Sequence, residues 1–202
     1  MEIFRLINND HWLLMILWLG YCIVHSVLAD VGIKIYIQKV MGSAFKFYRP
    51  IYSFFSLVTL VFLLWFQFSI QSLLLFKSII YLYIAAALLG LTGLGIMIMC
   101  ISKYFYELSG LQAIQHSQAK NTLQQSGLHR YVRHPLYFGT LLFVWSLFFV
   151  LPSLSNLMAA IIITLYTLLG IRLEEKKLML EYGDSYIDYI KRVPMLIPGL
   201  KL

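Results

Sequence analysis

With 60% apolar side chains, 16% aromatic and only 12% charged among 202 residues, and a mean hydropathy of +0.79, the chain lies well outside the balance of a soluble domain. Its formal net charge of +7 is scattered between apolar runs instead of gathered in one patch, which argues against nucleic acid and for anionic lipid headgroups as the partner. Cys22 and Cys100 both lie inside apolar runs and match no metal-ligand spacing, so no metal is expected.

The first apolar run, Trp12 to Ala29, follows Glu2, Arg5 and Asp10; no basic leader introduces it, so it is a span and not a cleaved signal. Within it His25 is the ionisable group. It is either a site residue facing a cavity or a histidine hydrogen-bonded near the span's end. Asp30 to Arg49 reads as a polar connection, and Pro50 opens a second span to about Ile70, with Trp65 suited to an interfacial belt. Ser78 to Ile101 is the third span, in which Gly90, Gly93 and Gly95 allow the close approach of a neighbouring helix. A glycine motif for a cofactor is the other reading. Lys103 to Ser126, with His116 and several glutamines, is the longest polar stretch, and its part from Asn121 to Ser126 is a candidate lid.

Gly127 to Gly139 places Arg130, Arg133 and His134 directly before an apolar run. Pro135 suits the first turn of a helix, so Arg133 and His134 are expected at its mouth. They either face a polar ligand at the membrane boundary or mark the end of a span by snorkelling. Leu136 to Leu151 and Leu154 to Gly170, separated by Pro152-Ser153, read as a helical hairpin. Arg172 begins a charged amphipathic helix broken at Gly183 and ended by Pro194 and Pro198. At helical spacing Glu175 shares the apolar face with Ile171 and Leu178, while Glu174 shares the solvated one with Lys177 and Glu181.

These readings give an all-α integral membrane protein with about five spans and a C-terminal amphipathic helix, in one domain over residues 1–202. With the N-terminus outside, fourteen of the basic residues fall on one side and only Arg5 and Lys77 on the other, which predicts a cytoplasmic C-terminus.

Arg133-His134-Pro135-x-Tyr137-x-Gly139, then Arg172-x-Glu174-Glu175, then Gly183-x-x-Tyr186-x-x-Tyr189-x-x-x-Val193-Pro194 form an ordered set that resembles the isoprenylcysteine carboxyl methyltransferase superfamily of membrane methyltransferases. The tail Arg192-Val193-Pro194-Met195 and the early Val24-His25-Ser26-Val27 most resemble its methanethiol S-methyltransferases and their NnrU-type relatives. The superfamily resemblance covers residues 78–202, and the narrower one reaches back to about Gly20. Gln112 and His129 depart from the expected arginine and tyrosine, and a further apolar segment is expected before the first span.

The resemblance implies S-adenosylmethionine as cofactor on the cytoplasmic side, with His134, Tyr137 and Glu175 in contact with it and Glu174 and Gly139 in the same set. The acceptor it implies is a small, membrane-soluble thiol such as methanethiol, with His25 and Tyr131 as candidate substrate contacts. A thiol of pKa about 8.5 is only a few per cent ionised at neutral pH, so Arg133 and Arg172 are candidate catalytic cations that lower it. Three other functions remain open: methylation of an isoprenylcysteine carboxyl, an NADPH-dependent membrane reductase of related architecture, and a non-enzymatic NnrU-like role.

Overall fold

A computed structural model describes residues 8–108 and 123–200. Seven α-helices follow one another among them: α1 (Asn9–Ala29), α2 (Val31–Met41), α3 (Tyr48–Ser69), α4 (Ile80–Leu108), α5 (Pro135–Val150), α6 (Leu154–Tyr182) and α7 (Asp184–Arg192). Short 3-10 segments at Gly42–Phe47 and Gly127–Arg130 complete the regular structure; among the described residues there is no strand beyond one isolated bridge.

The protein is an all-α, multi-pass membrane protein. Among the described residues, four stretches of helix are long and apolar enough to cross a bilayer: Asn9–Ala29, Val31–Ser69, Ile80–Lys103 and Leu154–Tyr182. α5 is a shorter apolar helix of 16 residues, about 24 Å at 1.5 Å per residue against a hydrocarbon core of about 30 Å. Large apolar side chains lie open along these helices, among them Ile16 at 64% and Leu91 at 68% exposure. In water such surfaces would be a liability; against acyl chains they need no cover.

The fold departs from the sequence reading in two places. Residues 31–47 are helical and not a polar connection, because the Asp30 side chain accepts from the Gly32 and Ile33 amides and so starts α2 immediately after α1 ends. Nor does a separate helix begin at Arg172 after the apolar run that ends at Gly170. One glycine costs a helix about 1 kcal/mol, too little to stop it, and α6 runs 29 residues, about 43 Å. Its apolar part, residues 154–170, is the part that can span; the charged turns from Arg172 onward extend beyond it.

The chain forms two compact units. The first, within residues 8–75 and 153–159, packs α1 through Leu14, Trp18 and Cys22, which stand four apart on one face. Its polar groups are paired, as a low-dielectric surround demands: Trp18 Nε1 donates to Gln67 Oε1 at 2.9 Å, and Gln67 Nε2 donates to Asn156 Oδ1 at 2.8 Å. The second unit, within 76–103, 123–152 and 160–200, packs α4 against α5. Ala86, Gly93 and Cys100 are buried at seven-residue spacing on α4. A Cβ on Gly93 would lie 2.6 Å from the Gly139 carbonyl oxygen, so the two backbones touch. Trp145 Nε1 donates to Thr164 Oγ1 at 3.0 Å, joining the arms of the expected α5–α6 hairpin.

Candidate functional site

The second unit gathers the charged motif residues into one cluster. His134 is the N-cap of α5 and Pro135 its first residue, as the missing proline N–H favours. The backbone just before the helix is held by the C-terminal tail: Arg133 N donates to Pro194 O at 2.9 Å and His134 N to Met195 O at 3.2 Å. The chain can return there because Gly183, at φ 53°, makes the left-handed turn that separates α7 from α6. α7 then rests on a small core of Tyr186, Tyr189 and Val193, with Leu178 of α6 packed against it.

Arg133 and His134 project from this junction onto α6. Arg133 Nε donates to Glu175 Oε1 at 2.7 Å, and its Nη1 donates to the carbonyls of Ile190 at 3.3 Å and Val193 at 2.6 Å. The guanidinium therefore also caps the C-terminal end of α7, where the helix dipole favours a cation. His134 Nε2 lies 3.1 Å from the same Glu175 oxygen. Both partners thus converge on Oε1. Among the described residues no donor is engaged with Oε2, which leaves that oxygen to serve a ligand.

The charge state of Glu175 follows from these contacts. Burial raises its pKa, but the hydrogen bonds from His134 and Arg133, with the Arg133 charge, outweigh this and bring the carboxyl down to about 2. It is a carboxylate at any physiological pH.

Glu175 faces inward and Glu174 is more open, with side chains 15% and 45% exposed, as helical spacing led us to expect. Yet Glu174 is not on a purely solvated face. Its Oε2 is 3.7 Å from His134 Nδ1, is itself buried, and has no hydrogen-bond partner among the described residues. Neighbouring helix positions differ by about 100°, not 180°, so both carboxylates flank the same histidine. His134 differs from expectation too. It sits at a helix mouth, but it is only 5% exposed because α6 covers it.

Of the other predicted residues, Tyr137 stands with its ring centroid 5.8 Å from that of His134. Arg172 and Tyr131 are exposed, and neither joins the hydrogen-bonded cluster. Gly139 packs against Gly93, a role that accounts for the glycine without a ligand. Gly95 has nothing within 4 Å of its would-be Cβ. His25 belongs to the first unit, where its ring is within 3.0 Å of the Tyr52 hydroxyl and stacks on Tyr21 beside an apolar cleft of about 370 Å³. Of the candidate lid, Asn121 and Thr122 fall outside the described residues, as do Gln112 and His116.

Sequence reasoning missed the part played by α7 and the tail. Tyr186 and Tyr189 stood in the motif only as a family signature, and nothing local shows that Val193 and Pro194 would offer carbonyls to Arg133. The signal was there in one form: a histidine before Pro135 and a Val193-Pro194 pair both mark backbone that cannot pair within a helix.

Comparison with known proteins fits this arrangement. The family described as "Protein of unknown function (DUF1295)" matches residues 42–193, which contain every residue of the cluster. The chain belongs to the DUF1295 family.

Among curated relatives it is 33% identical over 190 residues to methanethiol S-methyltransferase 2 of Bradyrhizobium diazoefficiens, covering 89% of this chain and 70% of that protein. It is 32% identical over 117 residues to a methanethiol S-methyltransferase of Crocosphaera subtropica, covering 54% of this chain but only 45% of that protein. A protein-S-isoprenylcysteine O-methyltransferase of Schizosaccharomyces pombe is 32% identical over 111 residues, half of this chain and 46% of that one. The chain therefore spans less than half the length of two of these relatives. The resemblance to the isoprenylcysteine carboxyl methyltransferase superfamily, and within it to the small-thiol branch, is borne out. No solved structure matches the chain.

Proposed function

We propose that this protein transfers a methyl group from S-adenosylmethionine to the thiol of a small apolar acceptor such as methanethiol, at the cytoplasmic face of a membrane. The observation that carries the reading is the paired carboxylate of Glu175, anchored through one oxygen with the other available, next to the unsatisfied Glu174 Oε2.

The residues present fit that cofactor. Its ammonium and hydroxyl donors call for acceptors, and Glu175 Oε2 and the orphaned Glu174 Oε2 are acceptors in a partly desolvated setting, where charge-assisted bonds are strong. When bound, S-adenosylmethionine supplies an electrophilic methyl carbon on a cationic sulfonium. Glu175 holds charge without needing a proton, because Arg133 and His134 keep it ionised. Arg133 is locked to three acceptors and orients the carboxylate, so its part is positional first and electrostatic second. Exposed Arg172 is the cation better able to swing toward an incoming thiol and favour its thiolate. Tyr137 and the apolar helices offer a dry wall that excludes competing water.

NADPH fits less well, since its 2′-phosphate asks for a cation that the cluster has already committed to Glu175. Titration of the purified protein with S-adenosylmethionine and with NADPH tests the reading directly. Saturable binding of the first, with methylation of methanethiol in membranes, is the expected result. NADPH binding alone would replace it with a reductase. Methyl transfer to a farnesyl-cysteine carboxyl but not to methanethiol would move the protein to the O-methyltransferase branch.

The cytoplasmic placement rests on the fourteen-to-two asymmetry of basic residues. A reporter fused after Leu202 is expected to score as cytoplasmic, and a signal from the far side would invert the topology.

A further inference from the structure

Tyr186 is 1% exposed, and its hydroxyl is one of two buried side-chain polar atoms without a hydrogen-bond partner among the described residues; Glu174 Oε2 is the other. A buried, unpaired hydroxyl is costly, so one that persists calls for a reason. Its neighbour Tyr189, in the same small core, shows the ordinary solution by donating its hydroxyl proton to the His129 carbonyl at 2.6 Å.

We infer that Tyr186 is a positioning residue for Glu175, a donor held beside the carboxylate whose hydrogen bond tightens when a ligand draws on Glu175. The inference rests on the function proposed above and adds a residue to that site. Two observations and one general property of binding sites support it. First, Arg133 and His134 are both engaged with Oε1, so a ligand that pulls on Oε2 loads a carboxylate anchored on one side alone. Second, Tyr186 packs in one core with Val193, whose carbonyl accepts from the same Arg133 that holds Glu175. Its phenol feels that carboxylate: burial, then the charge of Glu175, push its pKa well above the usual value, with Arg133 opposing and the approach of the hydroxyl to the Glu175 side chain adding to the rise. The phenol therefore stays protonated and can only gain by donating. Third, hydrogen bonds at binding sites are commonly long or misaligned when empty and tighten in the complex.

The test compares Tyr186→Phe with Tyr189→Phe in otherwise intact protein, by melting temperature without ligand and by affinity for S-adenosylmethionine. Removing an unpaired hydroxyl should leave the Tyr186→Phe melting temperature unchanged or raised, while S-adenosylmethionine affinity falls about tenfold, the loss of one hydrogen bond to a charged group. Tyr189→Phe should melt lower and bind within about threefold of the parent. Unchanged affinity in Tyr186→Phe overturns the inference, and so does a melting temperature that falls as far as that of Tyr189→Phe, since the hydroxyl would then have a partner in the empty protein. If the parent protein itself does not bind S-adenosylmethionine, it is the proposed function that fails, and the ligand-free melting comparison still judges the unpaired hydroxyl.

Discussion

Replacing Glu175 with glutamine is expected to weaken S-adenosylmethionine binding by about one to two powers of ten, the equivalent of one hydrogen bond to a charged group at roughly 1.5 to 3 kcal/mol. The substitution keeps the shape and an acceptor oxygen for Arg133, yet it removes the charge that pairs with a guanidinium only 8% exposed. Leaving a buried cation without its counter-charge destabilises a fold, so the melting temperature should also fall. Glu174→Gln separates the two effects. Among the described residues its carboxylate has no hydrogen-bond partner at Oε2, and it stands near Glu175, so neutralising it relieves desolvation and like-charge repulsion. That variant should melt no lower than the parent. Its affinity loss reports the share of ligand charge carried by Glu174, expected to be smaller than that of Glu175. The measurement is affinity in detergent with melting temperature beside it; a Glu174→Gln protein that loses binding while Glu175→Gln keeps it would reverse the assignment of the two carboxylates.

The facing of Glu175 toward Ile171 and Leu178 could be read from the sequence because helical periodicity is a local property: Ile171 is 0% exposed, and Glu175 follows it one turn later. Periodicity could not say what Glu175 would meet. Its partners are 41 and 42 residues away in the chain, and only the packing of α5 against α6 brings them together. The burial of His134 escaped for the same reason. Its place at the start of α5 was legible from Pro135, but the helix that covers it was not. The misread stretches, residues 31–47 and the separate helix expected to begin at Arg172, failed differently. In both, polar or flexible composition was taken as punctuation, whereas a single cap at Asp30 or one glycine in a long apolar helix settles the matter the other way.

The glycines of α4 provide the second large expected effect. Gly93→Ala places a Cβ 2.6 Å from Gly139 O and 2.8 Å from Phe143 N, both backbone atoms that no rotamer change can move aside. α4 and α5 must separate or shift, and overpacking of this kind costs about 1–3 kcal/mol, occasionally more. Because α5 begins at the His134 cap, the displacement would also carry His134 away from Glu175. Gly93→Ala should therefore lower both the melting temperature and S-adenosylmethionine affinity from a position with no charge and no ligand contact. Gly95→Ala is the matched control on the same helix: nothing lies within 4 Å of its Cβ, and alanine is the better helix former by about 1 kcal/mol. It should melt at or above the parent and bind normally. Equal behaviour of the two variants would mean that α4 and α5 do not approach through Gly93, and the coupling between helix packing and the Glu175 cluster would fall with it.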